Sequence, residues 1–294
     1  MAPAMAHRLS AGVLEELERL AVEVATEAGR LIVEQRPAGL GVEKTKSSAT
    51  DVVTVMDQRA QDLIRTRLRA ARPDDGFLGE EEGGAAATSE VTWVVDPIDG
   101  TVNYLYGIPA YAVSVAAVVG DPTTPGQWQP VVGAVVDPVG GVLFRARLGG
   151  GAWSSVGDRP AVRLAVTEQS ELSQALVGTG FGYEASVRRW QALVLLRVLG
   201  EIRDIRRFGS AALDLCHVAT GTLDAYFERG LNPWDLAAAW LVVTEAGGQV
   251  TGLGGGAPGS AMVVAAAPSL LPSLDTVLSD AVSAADADTG AGRP

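Results

Sequence analysis

Cysteine occurs once in this chain of 294 residues, at Cys216, so neither an intramolecular disulfide nor a cysteine-based zinc cluster is available to it. Histidine occurs twice, at His7 and His217. His217 adjoins Cys216 in an apolar helical stretch, and sequence neighbours on a helix do not face one another, so a Cys/His catalytic pair is not expected there. Both read as packing residues. Lysine appears only at Lys44 and Lys46. The longest apolar runs, such as residues 110–119, fall short of the ~20 residues that a membrane-spanning helix needs. Between Arg8 and Glu27, charges interrupt the apolar residues every few positions, unlike the core of a cleavable leader. A cytoplasmic location with no membrane partner is therefore expected.

What is present is an acidic, core-forming chain. Hydrophobic residues make up 47% of it, which excludes a disordered polymer, while the formal net charge is −12. Such a charge repels nucleic-acid phosphates at long range, so no nucleic-acid partner is expected. An acidic protein that handles a phosphate must also supply local positive charge, and a bound metal does so.

Residues 12–35 place Val13, Leu17, Leu20, Val24, Ala28 and Leu31 at helical spacing. A second helix is predicted from about Asp57 to Ala71, stopped by Pro73. Strands follow at 91–95, 111–119, 131–136 and 142–147, separated by turns such as Asp121-Pro122 and Asp137-Pro138. The second half alternates: strand 175–179, helix 185–199, strand 203–207, helix 210–220, strand 223–227, helix 233–246, strands 248–251 and 261–266, and a C-terminal helix from about Pro268. Alternation of this kind predicts a layered α/β architecture. The segments 83–89, 252–259 and 283–294 read as loops or disorder.

Acidic residues gather at element ends. In Asp96-Pro97-Ile98-Asp99-Gly100-Thr101, an apolar strand runs into a predicted β-turn whose ends lie within about 7 Å, so Asp96 and Asp99 can converge. Should a helix start after Gly100, its first amides form an anion site. Gly79-Glu80-Glu81-Glu82 ends another apolar segment. Asn232-Pro233-Trp234-Asp235 carries a helix-start signature with Asp235 in the first turn. Asp57 stands where the second helix is predicted to begin. Taken singly, each has a plain alternative: a surface turn, a solvated charge run, two helix caps.

In combination and in this order, the four resemble the inositol monophosphatase family, within the superfamily that includes fructose-1,6-bisphosphatase. The matching stretches are Lys46-Ser47-Ser48 with Asp51, Thr54 and Asp57; Gly79-Glu80-Glu81; Asp96 to Thr101; and Trp234-Asp235 followed by Glu245-Ala246-Gly247-Gly248. The resemblance implies a five-layer α-β-α-β-α sandwich over residues 1–294. Residues 10–150 would form a metal and phosphate half, residues 151–285 a substrate-pocket half, and residues 286–294 a disordered tail. It further implies two or three Mg²⁺ ions held by Glu80, Asp96, Asp99, Asp235 and the carbonyl of Ile98. Oxygen donors of this kind suit that hard cation.

By the same resemblance, Glu80, Asp57 and Thr101 are catalytic, the last two orienting the attacking water. Asp99, Asp235, Gly100 and Thr101 would meet the phosphate, and Gly209, Ser210, Ala211 and Glu228 the alcohol. The implied substrate is a small phosphate monoester, foremost myo-inositol monophosphate, with lithium inhibition and a homodimer. Fructose-1,6-bisphosphate and histidinol phosphate are the alternative substrates, and a partner of the transcription machinery is the alternative of another class. Gly178, Gly180 and Gly182 lack the third-glycine spacing of a dinucleotide site. Lys46 reads equally as a residue near the acidic centre and as a surface lysine.

Overall fold

The computed structural model describes residues 9–37, 49–81 and 84–289. Lys44, Lys46 and the chain after Thr289 lie outside these residues, and side chains are described from Val55 onward in the second helix. Helices α1 (Ala11–Glu34) and α2 (Ala49–Ala71) precede a seven-stranded sheet, β1 (Gly76–Gly79), β2 (Val91–Asp99), β3 (Ala112–Gly120), β4 (Trp128–Asp137), β5 (Val142–Arg147), β6 (Gly151–Val156) and β7 (Val162–Arg163), arranged in chain order. Only β1–β2 is parallel; the other pairs are antiparallel, as hairpin connections require. A short helix α3 (Thr101–Tyr106) follows β2.

The second sheet runs β11-β12-β10-β8-β9, built from β8 (Leu176–Thr179), β9 (Asp204–Arg206), β10 (Ala225–Glu228), β11 (Gln249–Thr251) and β12 (Val263–Ala266). Its connecting helices are α4 (Ala185–Val198), α5 (Ala211–Ala219), α6 (Pro233–Glu245) and α7 (Leu271–Thr289).

Alternation along the strands explains the layering. On β3, Val113, Val115, Ala117 and Val119 enter the core beneath α1 and α2, while Ala112, Ala116 and Val118 enter the core shared with α5 and α6. A strand apolar on both faces has to be covered on both. The α5–α6 core continues to Tyr226, Val263 and Ala265 of the second sheet. The opposite face of that sheet, with Val177, Phe227 and Val264, packs on α4 and α7. The layers are therefore α1–α2, sheet, α5–α6, sheet, α4–α7: five, α-β-α-β-α. No helix among the described residues is long and apolar enough to cross a membrane.

Four expectations are corrected. Helix α2 begins at Ala49, so Asp57 is an interior, buried residue and not its cap. Asp96 to Asp99 do not form a β-turn. They continue β2 through a bulge, with Asp96 opposite Ser114 and Asp99 opposite Ala112. Pro97 sits in this bulge, a position where a strand tolerates its missing amide. Strands β1, β6 and β7 were not predicted; all are short, and β7 is exposed. The stretch from Ser283 to Thr289, expected as loop and tail, is helical. Its alanines favour helix, Leu278, Ala281 and Ala285 are buried, and Trp190 Nε1 donates to Asp286 at 2.7 Å.

A buried clasp sets the end of β1. Gln61 of α2 donates to the Glu81 carbonyl and accepts from the Glu81 amide, both at 3.0 Å. Replacing Gln61 by Ala removes both bonds and strands a backbone pair, at a cost of roughly 1–3 kcal/mol. A lowered Tm in a calorimetric scan is the expected outcome, and an unchanged Tm would show the clasp to be energetically idle.

Candidate active site

Four stretches of chain deliver carboxylates to one place. Asp96 and Asp99 come from the β2 bulge and Asp235 from the first turn of α6. An oxygen from each lies within 4.8 Å of the others. Glu80, at the end of β1, turns its carboxyl to within hydrogen-bond distance of Asp96. Asp57 approaches from α2, and its Oδ1 is buried without a hydrogen-bond partner.

Each is held locally. The Ile98 amide donates to Asp96 Oδ1 at 3.0 Å, stapling the bulge. Asp99 Oδ2 accepts from the Ser210 hydroxyl at 2.5 Å and from the Ala212 amide at 2.7 Å, so it caps the start of α5. Asp235 Oδ2 accepts the Asn232 amide at 2.6 Å, closing a capping box with Pro233 at the head of α6. Capping and site membership thus fall on the same side chain. Gly100, at φ 96°, takes the left-handed turn from β2 into α3. Thr101 Oγ1 donates to the Ile98 carbonyl at 3.0 Å, and Asn103 Nδ2 ties α3 to Ala110 and Phe208 through two 2.7 Å bonds.

The carboxylates pay for this gathering in proton affinity. Burial, then repulsion from Glu80, Asp99, Asp235 and Asp57, pushes Asp96 well above its usual range. Burial and the charges of Glu80 and Glu81 raise Asp57 to about 8. Asp235 rises to about 8 and Glu80 to about 7, burial again leading. Asp99 reaches only about 6, because bonds from Ser210 and the α5 amides offset its burial. A cluster that resists full ionisation, with hard oxygen donors, no His or Cys among Asp96, Asp99 and Asp235, and one orphaned oxygen on Asp57, fits a divalent cation of the Mg²⁺ type.

A cleft of about 470 Å³ opens over the cluster. Glu80, Asp96, Asp99, Gly100, Thr101, Gly209, Ala211, Glu228 and Asp235, all anticipated from the sequence, line it. Ser210 does not; it is buried behind the wall and acts on Asp99. The Ile98 side chain is buried and only its carbonyl faces Thr101. Asp57 lies outside the lining, behind Asp96. Glu228 accepts from the Tyr226 hydroxyl, is raised to about 7 by burial, and stands where a Cβ on residue 180 would collide, so Gly180 is the seat it needs. Arg207 and Arg229 also line the cleft and were not anticipated. The one hint was position: Arg207 immediately precedes the Phe208-Gly209-Ser210 turn, and Arg229 follows Glu228.

Two sheets thus meet over a cluster of buried carboxylates in a layered α/β fold. The chain belongs to the inositol monophosphatase family, whose family model matches residues 13–285. Inositol-1-monophosphatase SuhB of Mycobacterium tuberculosis is 49% identical over 244 residues, 80% of this chain and 81% of its own length. The solved structure of Mycobacterium tuberculosis SuhB matches with a TM-score of 0.77 at 43% identity, covering 91% of this chain and 97% of that one. A Pasteurella multocida protein named Nus factor SuhB is 36% identical over 256 residues, 86% of this chain and 91% of its own length.

The raised carboxyls fix the sign of the pH dependence. Asp57, Asp96 and Asp235 bind protons more tightly folded than at the unstructured value of 3.8. Between about pH 4 and 8 the folded chain therefore holds more protons than the unfolded one, and stability falls as pH rises. In chelator, Tm is expected to be lower at about pH 8.5 than at about pH 5.5, with added Mg²⁺ raising it more at the higher pH. A metal-free Tm that climbs across this range would contradict the charge crowding.

Proposed function

We propose that this chain hydrolyses a small phosphate monoester, foremost myo-inositol monophosphate, in an Mg²⁺-dependent reaction. The observation that carries the reading is the convergence of Asp96, Asp99 and Asp235 in a cleft that also holds Glu80, Thr101 and Glu228. Glu80, Asp96, Asp99, Asp235 and the Ile98 carbonyl would hold the metal. When bound, Mg²⁺ supplies positive charge to the phosphoryl oxygens and acidifies water.

The chain's own groups do the rest. Thr101 spends its hydroxyl proton on the Ile98 carbonyl, leaving its oxygen to accept a hydrogen bond from the attacking water. Asp57, buried beside the cluster, shares in orienting that water. The first amides of α3, at Gly100 and Thr101, have no intrahelical partners of their own and suit phosphoryl oxygens. Water forms the new P–O bond as the alcohol oxygen leaves, and no covalent phospho-enzyme intervenes. The Ala211 backbone and Glu228 would meet the alcohol's hydroxyls. Lithium inhibition, a homodimer and a cytoplasmic location belong to the same reading. The name Nus factor SuhB, carried by the Pasteurella relative, favours the alternative reading of a partner of the transcription machinery; a role of that kind would survive loss of the carboxylates.

Phosphate release should vanish in EDTA and return with Mg²⁺. Asp96→Asn, Asp99→Asn and Asp235→Asn should each lower kcat/KM at least about 100-fold, roughly 2.7 kcal/mol of transition-state stabilisation. Full activity in chelator, or near-normal turnover in a variant, would remove the metal or that residue from the reaction.

Glu228→Ala separates the alcohol pocket from the metal scaffold. A charged hydrogen bond contributes about 1.5–3 kcal/mol, so kcat/KM on inositol monophosphate should drop roughly tenfold or more. β-Glycerophosphate, with few hydroxyls, should be affected much less. Equal losses on both would assign Glu228 to the metal scaffold.

A further inference from the structure

Tyr183 is the side chain of the cleft that the hydrolytic machinery leaves without a task. It lines the cleft together with Glu80, Asp99, Asp235 and Glu228. At 74% exposure it is the most open large hydrophobic side chain among the described residues, yet it stands in a concavity and not on the outer surface. A lone aromatic residue on open surface needs no explanation. One that overhangs a polar cleft forgoes burial at the place where a ligand would supply it.

The backbone beneath the ring is firmly held. Gln191 of α4, itself buried, accepts from the Gly182 amide at 3.0 Å and donates to the Gly180 carbonyl at 3.4 Å. Arg188, one turn earlier on α4, donates from Nη1 to the Gly182 carbonyl at 3.2 Å and to the Tyr183 carbonyl. A Cβ on residue 182 would lie 2.9 Å from Val187 Cγ1, so the glycine lets the segment sit close against α4. Clamped at Gly180, Gly182 and Tyr183, the chain fixes where the phenol begins. Only the two side-chain torsions remain to adjust to a ligand, which keeps the entropy cost of using the ring low.

The same segment is anchored beside Glu228. A Cβ on residue 180 would stand 2.0 Å from Glu228 Oε2, and Tyr183 follows three residues further on. The hydroxyl of Tyr183 reaches towards the acidic cluster. Crowding by the cleft walls, then the charges of Glu80 and Asp99, raise it above the ordinary phenol range, with Arg207 opposing them. A side chain mounted close to Glu228, with a tip that senses Glu80 and Asp99, spans the stretch that the alcohol of a metal-bound phosphate ester would occupy.

We propose that Tyr183 is a specificity-determining residue: its ring is the wall against which a cyclic alcohol lays its C–H face, so that phosphates of ring polyols are preferred to those of open-chain ones. The proposal rests on the phosphatase reading above and adds to it the shape of the preferred alcohol. A polyol ring has an edge of hydroxyls and a face of carbon-bound hydrogens. Glu228 addresses the edge and Tyr183 the face, and the apolar contact removes both surfaces from water. The phenol neither moves a proton nor holds the metal.

The test compares Tyr183→Ala and Tyr183→Phe with the wild type on myo-inositol 1-phosphate and on the open-chain ester β-glycerophosphate, in Mg²⁺. Removing one aromatic wall should raise KM for the inositol ester roughly tenfold in Tyr183→Ala, with kcat close to the wild-type value. KM for β-glycerophosphate should stay near its wild-type value. Tyr183→Phe, which keeps the ring, should match the wild type on both esters. Loss of folded protein lowers kcat on both esters and leaves KM alone, so it does not imitate this pattern. Equal rises in KM on both esters, no rise on either, or a defect in Tyr183→Phe as large as that in Tyr183→Ala overturns the wall. If the wild type releases phosphate from neither ester, the phosphatase reading fails by itself, and calorimetric titration with myo-inositol 1-phosphate in Mg²⁺ decides the wall. Weaker binding in Tyr183→Ala alone supports it, and equal binding by wild type and both variants, or binding by none, overturns it.

Discussion

Like charges held close together out of water are the constraint on which this structure turns. Burial and mutual repulsion both disfavour ionised carboxylates at Asp57, Asp96 and Asp235, and much of the local architecture offsets that cost. The β2 bulge gives Asp96 a backbone donor, α5 gives Asp99 its first amides, and α6 gives Asp235 a cap. These compensations anchor the carboxylates to the first sheet and to the α5–α6 layer that packs on both sheets. The site is consequently a joint between sheets and not a feature of either one.

The same logic explains why the cleft is polarised. Acids at the end where α3, α5 and α6 begin can be balanced by amide dipoles and by a cation. At the other end the acid is Glu228, held by the Tyr226 hydroxyl, with two guanidiniums nearby.

Much of this was legible in the chain because it rests on local rules. Helical spacing located α1 and the inner face of α2, and alternation of strands with helices indicated the layered class. The acidic motifs carried the nine lining residues through resemblance to a family. What was not legible depends on distant partners. Asp96-Pro97-Ile98-Asp99 has turn composition, yet pairing with β3 draws it into a bulged strand. The α2 start at Ala49 is invisible to apolar spacing, since Ala49-Thr50-Asp51 contains no large apolar residue. Arg207 and Arg229 look like ordinary surface cations until Gly209 and Trp190 are seen to seat them. Ser210 was placed on the substrate side by the family resemblance; only its hydrogen bond across the chain reveals that it serves Asp99.

Asp235 joins the cluster from α6, far along the chain from Asp96 and Asp99, and the α5–α6 layer that carries it packs against both sheets. The two halves of the acidic cluster can accordingly remain apart, each solvated, while the first sheet and its covering helices assemble. Asp235 adds its charge to those of Glu80, Asp96 and Asp99 only when the middle layer docks, through contacts of long sequence separation. An ion that bridges the cluster would then act on a contact made late on the path. Its influence would fall on how slowly the finished molecule comes apart, with little effect on how quickly it is made. Were a cation to bind there, the persistence of the folded chain, and not the speed of its formation, is what the cluster's divided origin would place under that cation's control.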